Sequence, residues 1–110
     1  MKIKFTKQVI GDIENIYQYI LQKSDRGIAT KTIHTIYDAI NNLSLYAELG
    51  TKQKTNNTRR LVIPRTPFVV IYKIDKKVGQ LRQNKDRDSF GKKKDKLIYI
   101  LTIFHTSRKL

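Results

Sequence analysis

The sequence predicts an α+β fold, order β-α-α-β-β-β, in which an N-terminal helix hairpin covers one face of a four-stranded antiparallel sheet. Three observations carry it. Apolar residues recur at helical spacing through the first 46 positions, strand-forming runs dominate beyond position 58, and each kind of element carries apolar surface that only the other can bury. At 110 residues the chain suffices for one core and not two, so 1 to 110 reads as a single domain.

Lys2-Ile3-Lys4-Phe5 alternates as a short first strand does, and Thr6 is placed to cap the next element. Val9, Ile13, Ile16, Tyr17 and Ile20 then recur at helical spacing, which predicts an amphipathic helix over 7 to 23 despite Gly11. Ser24-Asp25-Arg26-Gly27 breaks the pattern and offers caps. Ala29, Ile33, Ile36, Ile40 and Leu43 step by four and three, giving one stripe along a second helix. The hairpin of residues 7 to 46 should therefore bury Ile13, Ile16, Ile20, Ile33, Ile36 and Ile40 against the sheet. Residues 50 to 58 are polar and turn-rich and read as a loop. Strands are expected at about 59 to 63, 68 to 74 and 97 to 105, with a Pro-Arg-Thr-Pro turn after the first. The last two are apolar on both faces, which places them centrally.

Between them, residues 76 to 96 hold nine Lys or Arg against three Asp, in a connection far longer than the usual hairpin turn. This basic insertion is either a solvated loop or a clamp for an anionic partner. The whole chain carries 23 Lys+Arg against 9 Asp+Glu, a formal charge of +14, while 39% hydrophobic residues allow it to fold. Such a field attracts nucleic acid, an anionic membrane surface or an acidic protein. The absence of cysteine excludes disulfides, thiolate nucleophiles and sulfur-based zinc sites. No cofactor is implied, and two distant histidines, His34 and His105, do not suggest a metal site. Met1 opens onto strand-like alternation, and no run of about 18 apolar residues occurs, so the expected protein has no membrane association and is cytoplasmic.

The Arg59-Arg60 pair opening the second strand, the aromatic at Tyr72 and the ending Ile103-Phe104-His105-Thr106-Ser107-Arg108, together with the element order, resemble the RelE/ParE superfamily of bacterial toxins, and the ParE-like branch in particular. The resemblance spans almost the whole chain except the insertion. It implies the toxin of a type II toxin-antitoxin system, held inactive by an acidic antitoxin. ParE-like members poison DNA gyrase; RelE-like members are ribosome-dependent endoribonucleases that cut mRNA.

Cutting RNA through its 2′-hydroxyl needs a proton acceptor, a proton donor and cations for the phosphorane. For a nuclease the candidates here are His105, Tyr72 and Arg108, with Tyr99 and Glu48 behind them. In RelE-like nucleases the strand corresponding to 68 to 74 tends to begin with a basic residue, whereas this chain reads Pro67-Phe68-Val69-Val70. That departure favours a toxin that works by binding. Its candidate partner-binding residues are Arg59, Arg60, Arg65, Arg108 and Lys109. Arg59 and Arg60 point to opposite faces of their strand, so one surface can use only one of them. His105 is read in phase with Leu97, Tyr99, Leu101 and Ile103, as a functional group at the sheet edge or a strand-end histidine satisfied by the backbone; His34 flanks an apolar stripe and reads as structural. A small basic nucleic-acid-binding module is a further alternative. It lacks an alternating aromatic stacking platform.

Overall fold

The computed structural model describes residues 2–54, 57–75 and 97–106. Strand β1 (Lys2–Phe5) leads into helices α1 (Lys7–Lys23) and α2 (Arg26–Asn41), and a 3₁₀ turn (Asn42–Ser44) comes next. Strands β2 (Thr51–Lys52), β3 (Thr58–Val62), β4 (Phe68–Asp75) and β5 (Leu97–His105) complete the order. The basic insertion at 76 to 96 lies outside the described residues, as do Arg108 and Lys109.

Both helices start where side chains satisfy their first N–H groups. Thr6 Oγ1 accepts from Val9 N at 3.2 Å, and Asp25 Oδ1 accepts from Ile28 N at 2.9 Å. The break between them closes with Ser24 N donating to Ile20 O at 2.7 Å. Along α1 the stripe buries Val9, Ile13 and Ile16; along α2 it buries Ala29, Ile36 and Ile40. Leu43, the last member of the second stripe, sits fully buried in the 3₁₀ turn. Ile20 and Ile33 are half-buried at the margin of this core.

The sheet has five strands in the order β1-β5-β4-β3-β2 and is mixed, which corrects the expected four antiparallel strands. Two physical reasons account for the difference. β1 enters the helix hairpin directly, and the chain returns to it only through β5, which runs parallel to it from Lys2↔Leu97 to Phe5↔Ile100. A crossover of this kind is the connection that parallel neighbours require. The segment expected to be pure loop also contributes two residues, Thr51↔Arg60 and Lys52↔Arg59, too few to leave an alternating pattern. β4 and β5 occupy the interior, as their continuous apolar runs predict.

Phe68, Val70, Tyr72, Ile98, Ile100 and Ile103 form the helix-facing side of the sheet. A bulge lies between Ile71 and Tyr72 of β4, whose partners are Thr102 and Ile100, so Leu101 is the extra residue. The bulge changes the phase of β5. His105 therefore shares a face with Ile103 and with Ile98 and Ile100, not with Leu97 and Tyr99 as the strict alternation of the sequence suggests.

Candidate functional site

Strand register divides the candidate residues between two environments. Pairing of Arg59 with Tyr72 and of Arg60 with Ile71 puts the two arginines on opposite faces, as period-two alternation requires. Arg59 lies on the helix side, where Nη1 donates to Gly50 O at 2.6 Å and to Glu48 O at 3.4 Å. It holds the segment between the 3₁₀ turn and β2. Tyr72 works on the same segment: fully buried, its hydroxyl donates to Ala47 O at 2.7 Å and accepts from Gly50 N at 2.8 Å. A phenol with both roles filled inside the core has no proton to trade with a substrate.

Burial pushes the Tyr72 hydroxyl above the ordinary phenolic 10.0; the Gly50 N–H and the Arg59 charge pull the other way, and the Glu48 charge adds to the rise. A group whose folded pKa is raised gives stability that is present below the unfolded value and lost as pH climbs through the folded one. The protein should therefore lose stability above pH 10, and Tyr72→Phe should flatten that limb of the curve. Urea denaturation at a series of alkaline pH values checks this.

His105 packs between two rings on the helix side. Its centroid lies 5.3 Å from Phe68 and 6.5 Å from Tyr19 of α1, both edge-on. Tyr19 in turn carries Lys23 Nζ 5.3 Å from its ring centre. His105 pairs with Phe68 and Arg59 with Tyr72, so the imidazole and the guanidinium are anchored about 13 Å apart along β4. His34 is exposed on α2. Among the described residues no cluster of His, Cys, Asp or Glu is arranged to hold a metal ion.

The opposite face has a different character. Register sets Val62, Val69 and Phe104 in one cross-strand row, Arg60 beside Ile71 in the next, and then Thr58, Lys73, Tyr99 and Lys4. Asp75, Leu97 and Lys2 make the last row. Val62 is 59% and Phe104 40% exposed. Four cations thus flank an apolar band that includes one acidic residue. Of the proton-transfer candidates read from the sequence, Tyr99 lies on this face, where Asp75 adds a carboxylate.

At the β3–β4 end, the predicted Pro-Arg-Thr-Pro turn closes with Thr66 N donating to Ile63 O at 3.3 Å, while Thr66 Oγ1 donates to Ile63 O and accepts from Phe68 N. Pro64 takes the first corner, and Arg65 takes the second at φ 65°. Glycine or asparagine suits that left-handed corner, and a long side chain costs about 1 kcal/mol there. Arg65→Gly should therefore raise stability by about 0.5–1 kcal/mol in thermal melts. If Arg65 anchors an acidic partner, the same variant should bind that partner more weakly, and a gain in both would remove it from the interface.

Sequence reasoning missed Asp12. From α1, its Oδ2 accepts from Thr102 Oγ1 at 2.7 Å and from Ile103 N at 3.1 Å, immediately past the bulge, and its Oδ1 accepts from Gln8 Nε2 at 3.0 Å. Thr6 Oγ1 likewise donates to Ile100 O at 2.8 Å. These contacts tie the start of α1 to β5 beyond the end of β1.

The family whose sequence model matches residues 3–83 is described as "ParE toxin of type II toxin-antitoxin system, parDE". A search of curated proteins finds no match. Among solved structures, one titled "Chromosomal ParDE TA system from P. aeruginosa" superimposes with a TM-score of 0.71 at 20% identity, covering 96% of this chain and 95% of that one. At that identity the likeness speaks for the fold. The sequence match spans most of the chain, and the protein belongs to the ParE toxin family of type II toxin-antitoxin systems.

Proposed function

We propose that this toxin acts by binding DNA gyrase and that an acidic antitoxin neutralises it. The observation that supports binding over RNA cleavage is the separation of His105 and Tyr72 from the cations of the open face. Tyr72 is spent inside the core and His105 is packed against Phe68 and Tyr19, while Arg60, Lys73, Lys4 and Lys2 lie on the other face around apolar side chains. Phosphoryl chemistry needs acid, base and cation within hydrogen-bond reach of one substrate; a protein ligand needs a rimmed apolar surface. The +14 charge favours acidic partners and speeds their association.

The runner-up is a ribosome-dependent mRNA endoribonuclease, favoured by one observation. Tyr99 sits between Lys4 and Lys73 in a single row of the open face. Inducible expression in bacteria separates the two. Gyrase poisoning should switch on the DNA-damage response with transcripts intact, survive His105→Gln and Tyr99→Phe, and weaken in the Arg108→Ala, Lys109→Ala double variant. Loss of growth arrest in folded His105→Gln or Tyr99→Phe protein, with cut transcripts in the parent, would give the function to the nuclease. Removing a general acid or base costs a nuclease roughly 10²- to 10⁴-fold in rate, whereas single charges act incrementally.

A further inference from the structure

The bulge gives the open face two aromatic rings that strict alternation would separate. Tyr99 and Phe104 are an odd number of positions apart in β5, which in a regular strand sends their side chains to opposite faces. With Leu101 as the extra residue, both fall on the side away from the helices, Tyr99 beside Lys73 and Phe104 beside Val69. Four steps along β4 separate those partners, so the two rings are carried about 13 Å apart. Phe104 is 40% exposed and Tyr99 half-buried. Asp12 holds this phase, because its carboxylate accepts from Thr102 Oγ1 and Ile103 N immediately past the extra residue.

Cations surround the rings. Lys4 and Lys73 are the register neighbours of Tyr99 on its two sides, each about 5 Å away between strand axes. Lys2 stands two residues from Lys4 along β1, and Arg60 pairs with Ile71 in the row between the rings. Asp75 lies in the last row, opposite Leu97, beyond Lys73. Separate rings with cations between and beside them suit a single-stranded polynucleotide, whose unpaired bases lie flat on aromatic faces while its phosphates meet Lys and Arg. A duplex keeps its bases stacked inside and offers the rings nothing. An acidic polypeptide answers the cations and leaves the rings without a flat partner.

We propose that the open face binds single-stranded DNA, with one base on Tyr99, another on Phe104, and phosphates at Lys2, Lys4, Lys73 and Arg60. The choice of DNA over RNA rests on the reading of DNA gyrase as the target, an enzyme that brings DNA with it; the stacking site itself does not depend on that reading.

Fluorescence anisotropy of the full chain with a labelled oligothymidine of about ten nucleotides, a length typical of single-strand sites, tests this beside an abasic strand, a duplex and an oligouridine of equal length. Saturable binding is expected, at least about tenfold tighter for oligothymidine than for the abasic strand or the duplex. Tyr99→Ala and Phe104→Ala should each weaken it by about five- to a hundredfold, while Tyr99→Phe, which keeps the ring, should bind as the parent does. The Lys4→Gln, Lys73→Gln double variant leaves both rings in place and should make the slope of log affinity against log salt shallower by about 1.4, the share of two phosphates; it keeps the test decisive if Phe104→Ala melts early. Equal binding of the abasic strand, folded ring variants that bind like the parent, or an unchanged salt slope would each overturn the proposal. Oligothymidine bound as tightly as oligouridine or more tightly supports DNA, and tighter binding of oligouridine overturns it. Growth arrest is read in separate cells. A DNA-damage response without strand binding refutes this site alone, while absence of that response refutes the gyrase reading whatever the strand does.

Discussion

Gly50→Ala is expected to destabilise the protein by about 3 kcal/mol or more, the upper range of forced overpacking in a core. A methyl group at that position would meet Tyr72 Cε1 at 2.8 Å, Arg60 O at 2.9 Å and the Tyr72 hydroxyl at 2.9 Å. None of these atoms can yield cheaply. The tyrosine ring is fully buried, and the carbonyl belongs to a paired strand residue. Retreat of Gly50 would also break its N–H bond to Tyr72 and its C=O bond to Arg59. Tyr72→Phe makes a discriminating companion. It strands Ala47 O and Gly50 N and should cost about 1–3 kcal/mol by itself, but it removes only one of the three obstructing atoms. The double variant should therefore be no more stable than Gly50→Ala alone. Equilibrium urea unfolding measures all three, and a wild-type midpoint for Gly50→Ala would mean the segment closes differently.

Asp12→Ala should lower stability by about 2–3 kcal/mol, because a charged acceptor with three donors is worth more than an ordinary hydrogen-bonding side chain. Its loss leaves Ile103 N, just past the bulge, without the carboxylate that satisfies it. For a domain of this size the melting temperature should fall by roughly 8–15 °C. Asp12→Asn retains an acceptor oxygen and should recover part of the loss. Amide hydrogen exchange should localise the damage, with Ile103 losing protection before the rest of β5 does.

The fold was legible wherever burial was one-sided. Both helix stripes, their breaking turn and the interior placement of β4 and β5 follow from apolar spacing, because each helix had one face to hide and the central strands had two. Three features were not legible, for separate reasons. The parallel partnership of β1 with β5 depends on a pairing choice that alternation alone does not encode. β2 is too short to show a period. The extra residue at Leu101 shifts the phase of β5, so alternation counted backward from His105 places Leu97 and Tyr99 on its face although register puts them on the other. The candidate site was legible in part. The opposition of Arg59 and Arg60 follows from strand geometry, and the turn around Arg65 follows from its prolines. That Arg59 is consumed by Gly50 and Glu48, while Arg60 finds no partner among the described residues, depends on a loop whose path no local pattern reveals. Asp12 gave a faint signal as a carboxylate next to the apolar stripe of α1, half-buried in the fold.

The placement of β5 also sets a clock on synthesis. Lys2 pairs with Leu97, 95 positions later, and the same late strand supplies the partners of β4, of Thr6 and of Asp12. At translation rates of about 5–20 residues per second, β1 waits roughly 5–20 s for its sheet neighbour. Until then the sheet has a missing interior strand and the hairpin has half a floor. Pairings of such long sequence separation also form slowly once they are available. A nascent chain of this toxin accordingly has no finished open face to present, and any harm it does begins only after β5 has left the ribosome and closed the sheet.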